Sequence, residues 1–214
     1  MSIRARLLWL VAMVMIVPVL LLSFRSLQER EAKVEESRLH LTTIAGGVAR
    51  NLEERVLATG QLLFGLARAR DLQDASRQDC SGFLARVRDQ YPQFTSILTI
   101  DPQGQLYCDS LETGRNLDLA DRDYFQRVRS AERGLAVQPG FGRLTGTPVL
   151  HVAFPARNRA GALELVLLAS LNLRDFVRDD LRQLSPGMEI LLIDGQGTAL
   201  VWQPSPFRAA NSAD

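Results

Sequence analysis

The sequence predicts an α+β protein: an N-terminal membrane-spanning helix, a long second helix, and a five-stranded antiparallel sheet covered by helices. Three observations carry this. Residues 7–24 form an uncharged apolar run, and residues 27–70 repeat apolar positions at helical spacing. Five strand-like runs then lie between 95 and 171, joined mainly by short turns rather than by the crossover helices of a parallel sheet.

The first element reads LLWLVAMVMIVPVLLLSF, Leu7 to Phe24. At about 1.5 Å per residue it spans roughly 27 Å, close to the ~30 Å hydrocarbon thickness of a bilayer. Pro18 is better tolerated in a membrane helix than in a soluble one. Arg4 and Arg6 precede the run and mixed charges follow it, which favours a cytoplasmic segment 1–6 and an exterior remainder. A cleaved signal peptide is the rival reading, but no A-x-A-like site follows the apolar core.

From 26 to 70 the pattern is helical. Leu27, Val34, Leu41 and Val48 recur every seven residues, and Ile44, Leu52, Val56, Leu62, Leu63 and Leu66 fill neighbouring positions. This segment is either a stalk at a parallel dimer interface or one more amphipathic core helix. Gly46-Gly47 and Gly60 are candidate bends.

The unit over 71–173 opens with a helix from Arg77 to Gln90, stopped by Pro92. Strands are expected at Thr95 to Asp101, Gln105 to Cys108, Leu135 to Phe141, Pro148 to Pro155 and Ala162 to Leu171, with a short helix at Asp121 to Ala131. Asp101-Pro102-Gln103-Gly104 is a turn with Pro second and Gly fourth. Residues 174–187 read as a connecting helix and loop. Residues 188–214 repeat the strand, turn, strand layout of residue 95 onward, and are expected to begin a second unit that stops early.

Charge and composition exclude several function classes. The 214 residues carry 25 basic and 24 acidic side chains, a formal net charge of +1, and mean hydropathy is −0.01. That balance argues against a nucleic-acid binder and against an acidic disordered tail. The chain has only two histidines, His40 and His151, and neither has a second ligand at metal spacing, so no metal and no cofactor is expected. The glycines from Gly140 to Gly146 lead into a strand, not a helix N-terminus, and read as a hairpin rather than a phosphate loop. GxSxG, HExxH and P-loop motifs are absent, and acidic pairs such as Asp121/Asp123 read as helix starts. No catalytic constellation is present, so the chain is not read as an enzyme.

Cys80 and Cys108 are the only cysteines. In an oxidising periplasm two cysteines in one compact domain are expected to pair, the alternative being two buried thiols.

The block CSGFLARVRDQYPQFTSILTIDPQGQLYCDS, then DRDYFQRV, GRLTGTPVLHVAFPAR and LLLASLNL, behind a membrane anchor and a long helix, resembles the extracytoplasmic double Cache sensor domains of bacterial receptors. These are tandem PAS-like units. The resemblance covers about residues 26–173 as the membrane-distal unit, with 188–203 similar to the opening hairpin of the second. It implies a bacterial inner-membrane protein, single-pass as given, with its sensor in the periplasm. It also implies a homodimer with a histidine kinase, diguanylate cyclase or chemotaxis output outside this chain.

The resemblance further implies a small-molecule ligand in the distal pocket. Arg122 would pair with a ligand carboxylate through its planar fork, with Tyr124 beside it. Thr145, Thr147 and His151 would line the hairpin side, and Ser170 the floor. The amino-acid-binding subgroup carries tryptophan where Tyr124 aligns and aspartate near Ser170, so a carboxylate without an amine is expected here. For Arg122 the competing reading is a helix-start ion pair with Asp121 or Asp123. For the whole chain it is an anchored periplasmic binding or interaction domain without its own output.

Overall fold

The structure is a computed structural model, and it describes Ile16 and residues 38–69, 72, 76–130, 134–181 and 189–203. The expected membrane span lies, apart from Ile16, outside the described residues. Among the described residues, no helix is long and apolar enough to cross a membrane. The chain divides into two compact units, Met1–Leu52 and Glu53–Asp214.

Residues 38–66 are helical (α1), and the helix runs through Gly46, Gly47 and Gly60. The helix is not broken at these glycines. At Gly60 the reason is packing: a Cβ there would come within 2.4 Å of Leu135 Cδ1. The glycine admits a neighbouring side chain against the helix rather than breaking it. In the second unit, α1 buries Thr59, Leu63 and Leu66, spaced as one helical face.

Helix α2 spans Arg77–Gln90, as its apolar spacing and Pro92 predict. Its N-cap is Ser76, whose hydroxyl accepts from the Asp79 main-chain N–H (3.2 Å) and donates to the Asp79 carboxylate (2.6 Å), a reciprocal cap for groups a helix end leaves open. Five strands follow: β1 Phe94–Ile100, β2 Leu106–Asp109, β3 Ala136–Phe141, β4 Pro148–Arg157 and β5 Leu163–Asn172. Helix α3, Asp123–Ser130, lies between β2 and β3, and α4, Leu173–Leu181, follows β5.

The five strands form one sheet in the order β2-β1-β5-β4-β3, and every neighbouring pair is antiparallel. The chain therefore leaves one edge after β2, crosses by way of α3 to the opposite edge at β3, and finally inserts β5 in the centre. Both faces are covered. Thr99 pairs with Cys108, and Cys108 is joined to Cys80 of α2 by a disulfide, so this face carries α2. Alternation then turns Ser96, Leu98 and Ile100 to the other face. There Leu98, Ile100, Val166 and Leu168 pack with Tyr124, Phe125 and Val128 of α3 in the hydrophobic core.

The disulfide expected from the two cysteines is thus present, with Cα atoms 6.0 Å apart and a sequence separation of 28. Both residues are buried.

A second, two-stranded sheet pairs β6 (Ile190–Ile193) with β7 (Ala199–Gln203). Its turn repeats that of β1–β2. Asp101 Oδ1 accepts from the main chain of Gln103 and Gln105 at 2.9 and 2.8 Å; Asp194 Oδ1 accepts from Gln196 and Thr198 at 2.9 and 2.8 Å. Gly104 and Gly197 both take positive φ, +95° and +84°, which glycine adopts at little cost. The register matches too: Leu98 faces Asp109 as Leu191 faces Trp202, with an irregularity one residue later in each hairpin. In β6–β7, Leu191, Ile193 and Trp202 are exposed.

Candidate functional site

A row of polar residues crosses the α3 face of the sheet: Ser96 (β1) opposite Ser170 (β5), Ser170 opposite His151 (β4), and His151 opposite Gln138 (β3). On a face otherwise mainly apolar, these residues form a polar band beside the core packed against α3. Above them sit the start of α3 and the β3–β4 hairpin tip. Together they enclose a cavity of about 10 Å³, whose wall includes Ser96, Arg122, Tyr124, Arg143, His151 and Ser170. That is room for about one water molecule.

Four residues expected at the site therefore converge: Arg122, Tyr124, His151 and Ser170. Thr145 and Thr147 stand in the hairpin tip, where their hydroxyls bond to each other at 2.8 Å. From this hairpin the cavity wall takes Gly142, Arg143 and Leu144 instead. Ser96, Gln138 and Arg143 were not anticipated. The signal for Ser96 was available, since it interrupts an apolar face of β1.

The electrostatics follow from burial. His151 is 5% exposed, and its Nδ1 lies 3.2 Å from the Ser170 hydroxyl. Burial, and then the charge of Arg122, hold the imidazole down at about 4, against a weaker upward pull from the Phe141 carbonyl. At neutral pH His151 is uncharged. Its ring sits 5.0 Å from that of Tyr124, whose phenol burial pushes up to about 12. Gln138 accepts from the Tyr124 main-chain N–H at 3.1 Å and so fixes the start of α3 over the sheet.

The acidic residues near Arg122 are engaged elsewhere. Asp121 pairs with Arg143 at 2.5 Å, a bond that holds its carboxyl below the usual carboxylate range. Asp123 pairs with Arg127 at 3.8 Å. Among the described residues, the Arg122 guanidinium makes no hydrogen bond or ion pair, and the Tyr124 hydroxyl has no hydrogen-bond partner. The wall holds two arginines and no carboxylate.

Other concave surfaces are larger but offer less chemistry. One groove, of about 1050 Å³, runs past Phe64, Arg68 and Arg157. There Arg68 stacks over Phe64 at 3.6 Å, and Arg157 donates to the carbonyls of Gly161, Val128 and Arg129. These two cations are committed to the fold. Among the described residues, no cluster of metal-type ligands exists.

The fold is similar to that of extracellular and ligand-binding domains of a histidine kinase, of chemoreceptors and of a sensory box/GGDEF family protein, the PAS-like (Cache) fold that the sequence resemblance implies. The extracellular domain of rpHK1S-Z16, described as a histidine kinase, is 18% identical, with a TM-score of 0.57 over 77% of this chain and 76% of that one. The ligand-binding domain of the Campylobacter jejuni chemoreceptor Tlp3, solved with L-norvaline, is 12% identical, with a TM-score of 0.57 over 75% and 67%. That of the Pseudomonas fluorescens chemoreceptor CtaA, solved with L-serine, is 18% identical, with a TM-score of 0.53 over 76% and 69%. In sequence, sporulation kinase D of Bacillus subtilis is 21% identical over 114 residues, 53% of this chain. The match spans 22% of the kinase's own length. No family model matches the chain.

Proposed function

We propose that this chain is the ligand-sensing part of a bacterial signal-transduction receptor, binding a small carboxylate in the cavity between α3 and the sheet. The observation that carries this reading is the Arg122 guanidinium, unpartnered among the described residues, at a cavity whose other cation, Arg143, is paired with Asp121 and whose remaining polar groups, Tyr124, Ser96, Ser170 and His151, are neutral. A half-buried cation without a counter-ion is costly, and a ligand carboxylate meeting the planar fork offsets that cost. The neighbours solved with L-norvaline and L-serine favour a ligand that carries a carboxylate. The wall has no acidic group to hold an ammonium, which favours a carboxylate without an amine.

The wider reading rests on the uncharged run at 7–24, taken as the membrane anchor, and on α1 as the element through which rearrangement of the pocket reaches a dimeric output. It puts the sensor in the periplasm. The matched turn and register of β1–β2 and β6–β7, together with the exposed Leu191, Ile193 and Trp202, support residues 188–214 as the opening of a second unit. Membrane-distal and membrane-proximal then describe the two units in chain order.

The test is a thermal-shift series on the 214-residue chain in detergent micelles, across mono- and dicarboxylates and amino acids. Stabilisation by carboxylates that is lost in Arg122→Ala supports the site. An absence of shifts across the panel, or equal shifts in wild type and Arg122→Ala, sinks it.

A further inference from the structure

We infer that the ligand is a small dicarboxylate, its second carboxylate bound by Arg143 of the hairpin tip in place of Asp121. This rests on the carboxylate reading of the same cavity and deepens it.

The inference begins with charge. The cavity wall carries Arg122 and Arg143 and no acidic residue, and His151 contributes no charge at neutral pH. A monocarboxylate would satisfy Arg122 and leave Arg143 to its existing partner. A dicarboxylate would match both.

Next comes competition. Arg143 bonds to the Asp121 carboxylate at 2.5 Å, with side chains 35% and 61% exposed, and it also donates to the Asp118 carbonyl. An ion pair this open to water is weak. A carboxylate delivered from the cavity side, already tethered by its other end to Arg122, meets Arg143 at high effective concentration and out of bulk solvent. Asp121 is therefore a replaceable partner that keeps Arg143 oriented until a ligand binds.

Volume supplies the third argument. About 10 Å³ cannot admit any dicarboxylate, so the wall must move. The tip from Gly142 to Thr147 is braced internally: the Gly142 N–H donates to the Thr147 carbonyl (3.0 Å) and the Gly146 N–H to the Gly142 carbonyl (2.7 Å). It can lift as one piece, and Arg143 is its side-chain tie to the Asp118–Asp121 segment. Opening the cavity and freeing Arg143 for ligand are then one event.

The experiment is isothermal titration of the full chain in detergent micelles with malonate, succinate and glutarate. Acetate, propionate and butyrate serve as monocarboxylates, and inorganic phosphate as a compact dianion, all at pH 7 and matched ionic strength. The best dicarboxylate should bind at least about tenfold more tightly than the monocarboxylates. Arg143→Gln should shrink that ratio to about twofold, and Asp121→Asn should tighten dicarboxylate binding by removing the competitor. Equal affinity for mono- and dicarboxylates in the wild type overturns the inference but leaves the carboxylate site standing. So does a loss in Arg143→Gln that is equal for both classes. Phosphate binding as tightly as the best dicarboxylate also overturns it, because charge without span would then suffice. Failure of every carboxylate to bind removes both readings.

Discussion

Acid should destabilise this fold through one imidazole. His151 is buried and titrates at about 4 instead of 6.5. Above pH 6.5 it is neutral folded or unfolded, and contributes nothing to the pH dependence. As pH falls from 6.5 toward 4 the unfolded chain takes up a proton that the folded chain refuses, so stability drops through that window. The displacement is worth about 3 kcal/mol at most, and on the order of 2–3 kcal/mol of it is lost by pH 4.5. Carboxylates also titrate in this range, so the comparison is with His151→Gln, which keeps a polar side chain but carries no titrating ring. Urea melts followed by circular dichroism at pH 7, 6, 5 and 4.5 should show the wild type losing about 2–3 kcal/mol more than the variant between the extremes. Parallel stability profiles for the two proteins would refute the assignment of a neutral buried imidazole to this site.

Three further outcomes follow from the packing and the site. Gly104→Ala should cost about 2–4 kcal/mol, because φ is +95° and the new Cβ would lie 2.5 Å from Ala120 Cβ and 2.7 Å from its Cα; a loss under about 1 kcal/mol in urea melts would mean that the turn yields. Replacing both cysteines, Cys80→Ala with Cys108→Ala, should lower stability by about 3.5 kcal/mol on the chain-entropy account of a loop this long. An unfolding free energy within about 0.5 kcal/mol of the oxidised wild type would contradict that. Tyr124→Phe should weaken carboxylate binding about tenfold while leaving the melting temperature nearly unchanged, since the hydroxyl bonds to no described protein group; unaltered affinity in titration would remove Tyr124 from the ligand contacts.

Much of the fold is written locally. Helix α2 begins and ends where Ser76, Asp79 and Pro92 dictate, and the helix over 38–66 follows its apolar spacing. The five strands fall within a residue or two of their alternating and apolar runs because a strand's pattern is local. The glycines of α1 were the misleading signal. Their propensity argues for a break, but the helix continues, and Gly60 is small because Leu135 packs against it, a through-space fact that propensity does not carry.

The site divides in the same way. Arg122 and Tyr124 stand out in DRDYF, and His151 and Ser170 lie in runs that read as strands. Ser96 stands out as a polar break in an apolar strand face, but it, Gln138 and Arg143 belong to the site only through a partner on another element. Ser96 reaches it through the β1–β5 pairing, Gln138 through the Tyr124 main chain, and Arg143 through Asp121.

By itself, then, the sequence determines where helices and strands form, the turn at Asp101, and the segregation of an uncharged apolar segment from a charged domain. These depend on neighbours within a few residues: periodicity, caps, and glycine at positive φ. Only the tertiary structure decides that β5 enters between β1 and β4, lining up Ser96, Ser170, His151 and Gln138. It also decides that Arg143 takes Asp121 and that Arg122 has no counter-ion among the described residues. An ion pair and a strand register are settled by distance in space, and residues far apart in the chain compete for them only once the sheet has closed.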